Sequence, residues 1–174
     1  MLLHAAQSDP RRSPPYRVGS LVLFGAVLVI LSAFSFQYVG GYLPCPLCLQ
    51  QRYAYYAAIP ALFLALVLVS ADRRGLAALV FALVALAFLA NAGLGVYHAG
   101  AEWKFWPGPD TCAGAQGLST SAGSLLERAE TARVVSCVDP QWHFLGLSFA
   151  GWNVVTSLAL AWGSAVATMG SLRR

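Results

Sequence analysis

The segment PCPLCLQQR, residues 44–52, holds the side chains with the clearest capacity for chemistry. Cys45 and Cys48 are separated by two residues, a spacing typical of thiol pairs that open and close a disulfide during turnover. A ring across two residues constrains little chain, because the entropy lost on closing a loop grows with its length. The pair would contribute little as a crosslink, so the spacing favours a redox role.

The local sequence also favours an anion at this point. Proline fits the first position of a helix, so Pro46 predicts a helix with Cys45 as its N-cap and Cys48 in its first turn. Free backbone N–H groups and the helix dipole stabilise a thiolate there. Arg52 follows Cys48 by four residues and would lie on the same helix face, favouring an anion on Cys48 or on a bound electron acceptor. A snorkelling arginine at a helix end is the structural alternative.

The elements that must position these residues belong to a membrane protein. The chain has 174 residues, of which 58% are hydrophobic and only 10% charged, against about 25% charged in soluble domains. A membrane-spanning helix needs roughly 20 apolar residues. The uncharged intervals, with a break at residues 40–46, predict an all-α integral membrane four-helix bundle. Its expected spans are residues 18–37, 51–71, 76–97 and 145–168. A cleaved signal peptide is the alternative for the first span, but its apolar run of about 19 residues exceeds a usual signal core.

The positive charges predict the orientation, because loops rich in Lys and Arg stay cytoplasmic. One side of the predicted bundle would carry Arg11, Arg12, Arg17, Arg73, Arg74, Arg173 and Arg174. The other would carry only Arg52, Lys104, Arg128 and Arg133. Both termini, residues 1–17 and 169–174, are therefore expected in the cytoplasm, with outer loops at 38–50 and 98–144. The net charge of +4 is interpreted as a topology signal, and no nucleic-acid partner is expected.

All four cysteines then fall on the outer side, where an oxidising environment permits disulfides. Four cysteines allow three pairings. Cys112 and Cys137 are separated by 24 residues and could simply crosslink a loop. Four thiolates could also bind zinc, but ribbon-type zinc sites usually show two Cys-x-x-Cys pairs. No metal is therefore expected.

The chain resembles the DsbB family, the disulfide bond formation protein B of bacterial inner membranes. The resemblance rests on CPLCLQQR at the head of the second span, two separated cysteines in the second outer loop, and QWHFLGLSFAGWN before the fourth span. It covers nearly the whole chain. In the vitamin K epoxide reductase fold the loop cysteines come before the Cys-x-x-Cys pair, whereas in this chain they come after it. The order of the cysteines therefore disfavours that fold.

The resemblance implies a relay of two disulfides, Cys45–Cys48 and Cys112–Cys137, facing the periplasm. A reduced thioredoxin-fold oxidant of the DsbA type would attack Cys112, and Cys137 would help exchange the resulting mixed disulfide. Cys48, as a thiolate, would deliver the electrons to ubiquinone or menaquinone within the lipid bilayer. Arg52 and His98 would lie near the quinone, although His98 could instead be an interfacial histidine without a redox role.

Two other functions use the same residues. One is a small non-catalytic membrane protein whose disulfides only stabilise its loops, and the other is a thiol reductase that passes electrons outward. Supporting expectations are a short helix after Ser124, helix bridging by Asn91 and Asn153, and close helix approach at the glycines. The tyrosines Tyr53, Tyr55 and Tyr56 are weaker candidates for a quinone pocket.

Overall fold

A computed structural model describes residues 13–108 and 137–173 of the protein. Its four long helices are α1 (Pro14–Tyr38), α2 (Pro46–Ser70), α3 (Arg74–Glu102) and α4 (Phe149–Leu172). A small antiparallel hairpin, β1 (His143–Phe144) and β2 (Leu147–Ser148), precedes α4. All four helices are long and apolar enough to cross a membrane. The predicted all-α membrane bundle is therefore confirmed. Cys112 and the helix expected after Ser124 lie outside the described residues.

The helices are arranged as a ring in which each packs against two neighbours. Helices α1 and α3 each contact both α2 and α4, while α2 and α4 barely touch, and the α3–α4 interface is the most extensive. Phe81, Phe88 and Leu62 are fully buried between the helices. Exposed leucines and aromatic residues cover the outer faces, as expected of helices that face lipid acyl chains.

Only some of the glycines expected at helix contacts are found there. A Cβ atom on Gly95 would lie 2.8 Å from Val154 Cγ2, and one on Gly163 would lie 2.6 Å from Val22 Cγ2. Both glycines therefore permit close approach to α4 or α1. A Cβ on Gly93 would meet nothing within 4 Å, so that expectation was wrong.

Helix α4 begins at Phe149, four residues after the predicted start of the fourth span. Leu145 and Gly146 form the hairpin turn with φ values of 53° and 79°, in the left-handed region that a helix interior excludes. Ser148 then caps α4, its side chain accepting a hydrogen bond from the backbone N–H of Gly151.

A buried polar network joins three of the helices, as expected for Asn91 and Asn153. The Tyr55 hydroxyl of α2 donates to Asn153 Oδ1 of α4 over 2.9 Å. Asn91 Nδ2 of α3 donates to the same oxygen and to Ser157 Oγ. Polar contacts of this kind fix helix register where the surroundings are apolar.

An aromatic cluster ties the first connecting segment to the region before α4. Phe149 packs against Phe36, Tyr42 and Trp142, with ring centroids 4.8–5.8 Å apart. Gln141 Nε2 also donates to the backbone oxygen of Leu43 over 3.1 Å. These contacts hold the segment that contains Cys137 close to the start of α2.

Candidate redox site

The start of α2 matches its sequence prediction. Pro46 is the first helical residue, and Cys45 is the N-cap with extended backbone angles. The Cys45 Sγ accepts a hydrogen bond from the backbone N–H of Cys48 over 3.2 Å. The Cys45 side chain therefore caps the helix, which places its sulfur at the positive end of the helix dipole.

Cys45 and Cys48 are free cysteines whose Sγ atoms lie 2.9 Å apart. The disulfide expected between them at rest stays a prediction. The two sulfurs are close enough that a small side-chain movement would bring them to bonding distance.

Cys45 is the more acidic member of the reduced pair, whereas the sequence predicted a thiolate on Cys48. When Cys45 is ionised, the Cys48 thiol donates to its sulfur, and this hydrogen bond is the main cause that lowers the pKa of Cys45 to about 5. Burial opposes the change, while His98 and the Cys48 backbone N–H reinforce it. The difference has a geometric reason: the N-cap sulfur receives several donors at once.

His98 lies directly beside the pair. Its side chain is buried, and its Nε2 is 3.7 Å from Cys45 Sγ. Gln51 Nε2 lies 2.9 Å from His98 Nδ1. With Gln51 donating to Nδ1, the ring proton is on Nε2 and is directed at the sulfur. His98 therefore faces the cysteine pair.

Glu102, at the end of α3, extends this cluster. Its Oε1 lies 3.7 Å from His98 Nε2, and its side chain is only 5% exposed. The Ser148 hydroxyl donates to its Oε2. The carboxylate is one helical turn beyond His98, so the spacing was visible in the sequence, but its burial was not.

Cys137 reaches the same site from the segment before the hairpin. It is buried and packs in a small cluster with Cys45 and Leu47. The backbone of Cys137 also hydrogen-bonds to the His98 side chain. Cys137 is disulfide-bonded. Its expected partner, Cys112, lies outside the described residues.

A cavity of about 360 Å³ opens beside the pair. Its wall is formed largely by apolar side chains of α1, together with Trp142 and Phe149. Cys45, Cys48 and His98 line the cavity at one end. Of the three candidate tyrosines, only Tyr55 is among the lining residues.

Arg52 lines this cavity too, four residues beyond Cys48 as predicted. Its Nη1 donates to Gln37 Oε1 of α1 over 2.5 Å, and its guanidinium lies 5.5 Å from the centre of the Phe34 ring. The guanidinium thus contacts two residues of α1. Gln37 and Gln51 were not predicted, because a lone glutamine in an apolar helix gives no specific signal.

The described site therefore joins five of the six predicted residues, Cys45, Cys48, Arg52, His98 and Cys137, in one region. The sequence analysis missed Glu102, Gln51 and Gln37. Of these, only Glu102 carried a usable signal, the four-residue spacing from His98.

Comparison with known proteins agrees with this arrangement. Residues 16–167 match the family model described as disulfide bond formation protein DsbB. Disulfide bond formation protein B of Herminiimonas arsenicoxydans is 32% identical over 149 residues, which cover 80% of this chain and 86% of that protein. The protein of the same name in Nitrosococcus oceani is 32% identical over 146 residues, covering 80% and 83%. No solved structure gives a significant match. From its matched length and its relatives, this chain belongs to the DsbB family of disulfide bond formation proteins.

Proposed function

We propose that this multi-pass membrane protein is a protein-disulfide:quinone oxidoreductase that reoxidises a periplasmic thiol oxidant of the DsbA type. One observation carries the proposal. The Cys45–Cys48 pair packs against a disulfide-bonded cysteine, Cys137, and also lines an apolar cavity. A relay that takes electrons from a protein and gives them to a lipid-soluble acceptor needs both contacts.

Electrons would enter through the second disulfide, which we assign to Cys112 and Cys137. A thiolate of the reduced partner attacks Cys112, and Cys137 leaves as a thiolate. Cys137 then attacks Cys45 in the oxidised Cys45–Cys48 pair, because the two residues pack in one cluster. Each step breaks one S–S bond and forms another, so the two electrons move with the thiolate.

Electrons would leave through Cys48. When Cys137 bonds to Cys45, Cys48 is released as a thiolate next to the cavity. The second thiolate of the partner attacks the mixed disulfide, which oxidises the partner and releases Cys112 as a thiolate. Attack by Cys112 on Cys137 then restores the second disulfide and releases Cys45 as a thiolate. The reduced pair closes again to a disulfide as it gives up two electrons. A bound quinone would supply the chemistry of accepting two electrons and two protons.

The cavity residues fit a quinone headgroup. Its volume is within the range of small-molecule pockets. Asn153 Nδ2 is a buried donor at the cavity wall without a hydrogen-bond partner among the described residues. An unpaired buried donor costs free energy unless a ligand accepts its hydrogen bond. A quinone carbonyl is such an acceptor, and Arg52 offers a second donor nearby. Ubiquinone and menaquinone share this chemistry.

We place both termini in the cytoplasm and the cysteines at the periplasmic face of a bacterial inner membrane. The positive residues near the chain ends and between α2 and α3 support this orientation. Arg73 and Arg74, for example, lie at the opposite end of α3 from His98 and Glu102. The lipid bilayer surrounds the bundle, and disulfides persist on its oxidising side.

The test is quinone reduction by the purified protein in lipid nanodiscs, followed by absorbance. The reactions contain a reduced DsbA-type protein and either a ubiquinone or a menaquinone analogue. The native chain is compared with Cys48→Ala and Cys112→Ala. We expect turnover in the native chain and none in either variant.

Two outcomes would count against the proposal. Turnover that persists in Cys48→Ala would show that the pair does not carry the electrons. No turnover with several partners and both quinone classes would favour a protein whose disulfides only stabilise its loops. Faster flow from reduced quinone to an oxidised partner would instead indicate a reductase.

A further inference from the structure

Glu102 is a buried carboxylate that the proposed relay does not use. Its only ion-pair partner among the described residues is His98. No lysine or arginine side chain in residues 13–108 or 137–173 forms a salt bridge with it. Burying a carboxylate without a permanent cation is costly, and in a membrane protein such a group usually has a function.

Two acidic side chains, Cys45 and Glu102, lie next to the same nitrogen of His98. Cys45 Sγ and Glu102 Oε1 each lie 3.7 Å from His98 Nε2. Gln51 contacts the other ring nitrogen, Nδ1. A side-chain amide can donate or accept a hydrogen bond, so Gln51 can accommodate both the neutral and the protonated ring. When Gln51 accepts from Nδ1–H, Nε2 of the neutral ring carries no proton, so it can take a proton from Cys45 and pass it to Glu102.

Two acids that share one buried site do not both ionise readily, because their negative charges repel in a low dielectric. Cys45 has the larger set of donors, since the Cys48 thiol, the Cys48 backbone N–H and His98 all surround its sulfur. Glu102 receives a hydroxyl hydrogen bond from Ser148 alone, beside its contact with His98. The negative charge therefore belongs on the sulfur and the proton on the carboxyl group.

We propose that Glu102 is the proton acceptor of the reduced site. This inference rests on the redox role proposed for Cys45 and Cys48. Reduction of their disulfide by a dithiol breaks the S–S bond and brings two electrons and two protons. One proton becomes the Cys48 thiol hydrogen and the other is held on Glu102, which leaves Cys45 as a thiolate. On reoxidation by a quinone, Glu102 returns its proton through His98.

The other titratable group that acts on Glu102 is His143 of the hairpin. The charge of Glu102 also acts on Cys48. Neither lies between Glu102 and Cys45 in the way that His98 does. A substitution of Glu102 should therefore report mainly on the Cys45–His98–Glu102 cluster.

The test counts protons on reduction and needs neither quinone nor partner protein. Oxidised protein in weakly buffered solution at pH 7 is reduced with dithiothreitol while a pH indicator is followed. Native protein is compared with Glu102→Gln. We expect the variant to bind one proton fewer. The second disulfide is present in both proteins, so its contribution cancels.

Infrared spectroscopy supplies the spectroscopic signature. The reduced-minus-oxidised spectrum of the native protein should show a new carboxylic acid C=O band, which Glu102→Gln abolishes. Asp72→Asn is the matched control, because it makes the same chemical change at an exposed turn and should leave the band intact. Ser148→Ala keeps the carboxyl but removes its hydrogen-bond donor, so it should move the band. This variant keeps the test valid if Glu102→Gln does not fold.

Equal proton uptake in native protein and Glu102→Gln, or a native spectrum without the band, would overturn the proposal. Either result leaves quinone turnover by the native chain unaffected, so this failure is distinct from a failure of the proposed function. In turnover itself, Glu102→Gln is expected to be about 100-fold slower, the size typical of a lost proton-transfer group. Glu102→Asp should recover part of that loss.

Discussion

Replacing Cys48 with alanine tests whether its thiol keeps Cys45 acidic. In the reduced protein the hydrogen bond from Cys48 is the main cause that lowers the pKa of Cys45 to about 5. Cys48→Ala removes that donor but retains the backbone N–H and His98. Cys48→Ser is the matched control, because its hydroxyl can donate in the same direction.

The expected change follows from the strength of one hydrogen bond to a charged acceptor. Such a bond contributes about 1.5–3 kcal/mol, and one pKa unit corresponds to about 1.36 kcal/mol. The pKa of Cys45 should therefore rise by about 1 to 2, to about 6 to 7, in Cys48→Ala. In Cys48→Ser the pKa of Cys45 should stay at about 5.

The assay is alkylation of Cys45 by iodoacetamide as a function of pH, with the modified peptide identified by mass spectrometry. The midpoint of the profile, rather than the rate at one pH, reports the pKa. The reason is that a less acidic thiol is present less often as thiolate but attacks faster in that form, so the two effects partly cancel in a single rate.

Two results would refute this reasoning. A midpoint that stays at about 5 in Cys48→Ala would show that the Cys48 thiol is not the main hydrogen-bond donor to Cys45. An equal rise in Cys48→Ser would show that the effect comes from altered packing and not from the hydrogen bond. In the native protein the reaction should weaken as the pH falls through about 5.

Three further substitutions, with Gly93→Ala as a control, test the bundle and the cavity. Gly95→Ala should lower the melting temperature in detergent, because its Cβ would lie 2.8 Å from Val154 Cγ2, and overpacking costs about 1–3 kcal/mol. Gly93→Ala should leave the melting temperature unchanged, because its Cβ would have no neighbour within 4 Å. A lower melting temperature in this variant would contradict the packing. Arg52→Lys should raise KM for quinone more than it lowers kcat in steady-state assays, since lysine lacks the forked guanidinium that donates to α1. An unchanged KM would argue against a role for Arg52 in the cavity. Tyr55→Phe should lower the free energy of unfolding by about 1 kcal/mol in chemical unfolding, because it deletes a buried hydroxyl donor. An unchanged free energy of unfolding would show that this hydrogen bond does not stabilise the fold.

The fold could be predicted because the membrane imposes strong rules on the sequence. Four long apolar stretches separated by charges and helix-breaking residues permit few architectures, since every backbone group in lipid must be paired within a helix or barrel. The start of α2 was equally readable, because Pro46 and the cysteine before it combine a helix opening with a cap. The start of α4 was not, because a hairpin turn at Leu145 and Gly146 carries no hydropathy signal.

The sequence alone predicted the residue types that we propose carry the chemistry: a Cys-x-x-Cys pair at a helix start, an arginine one turn later, and a membrane around them. Spacing along one helix is local, so these relations survive without knowledge of the fold. Only the tertiary structure decided which groups surround each sulfur. It brought His98 from α3 to Cys45, Cys137 from a distant segment to the same cluster, and Glu102 into a buried position. These contacts lower the pKa of Cys45, because acidity depends on the donors that packing assembles around a sulfur and not on the order of residues in the chain.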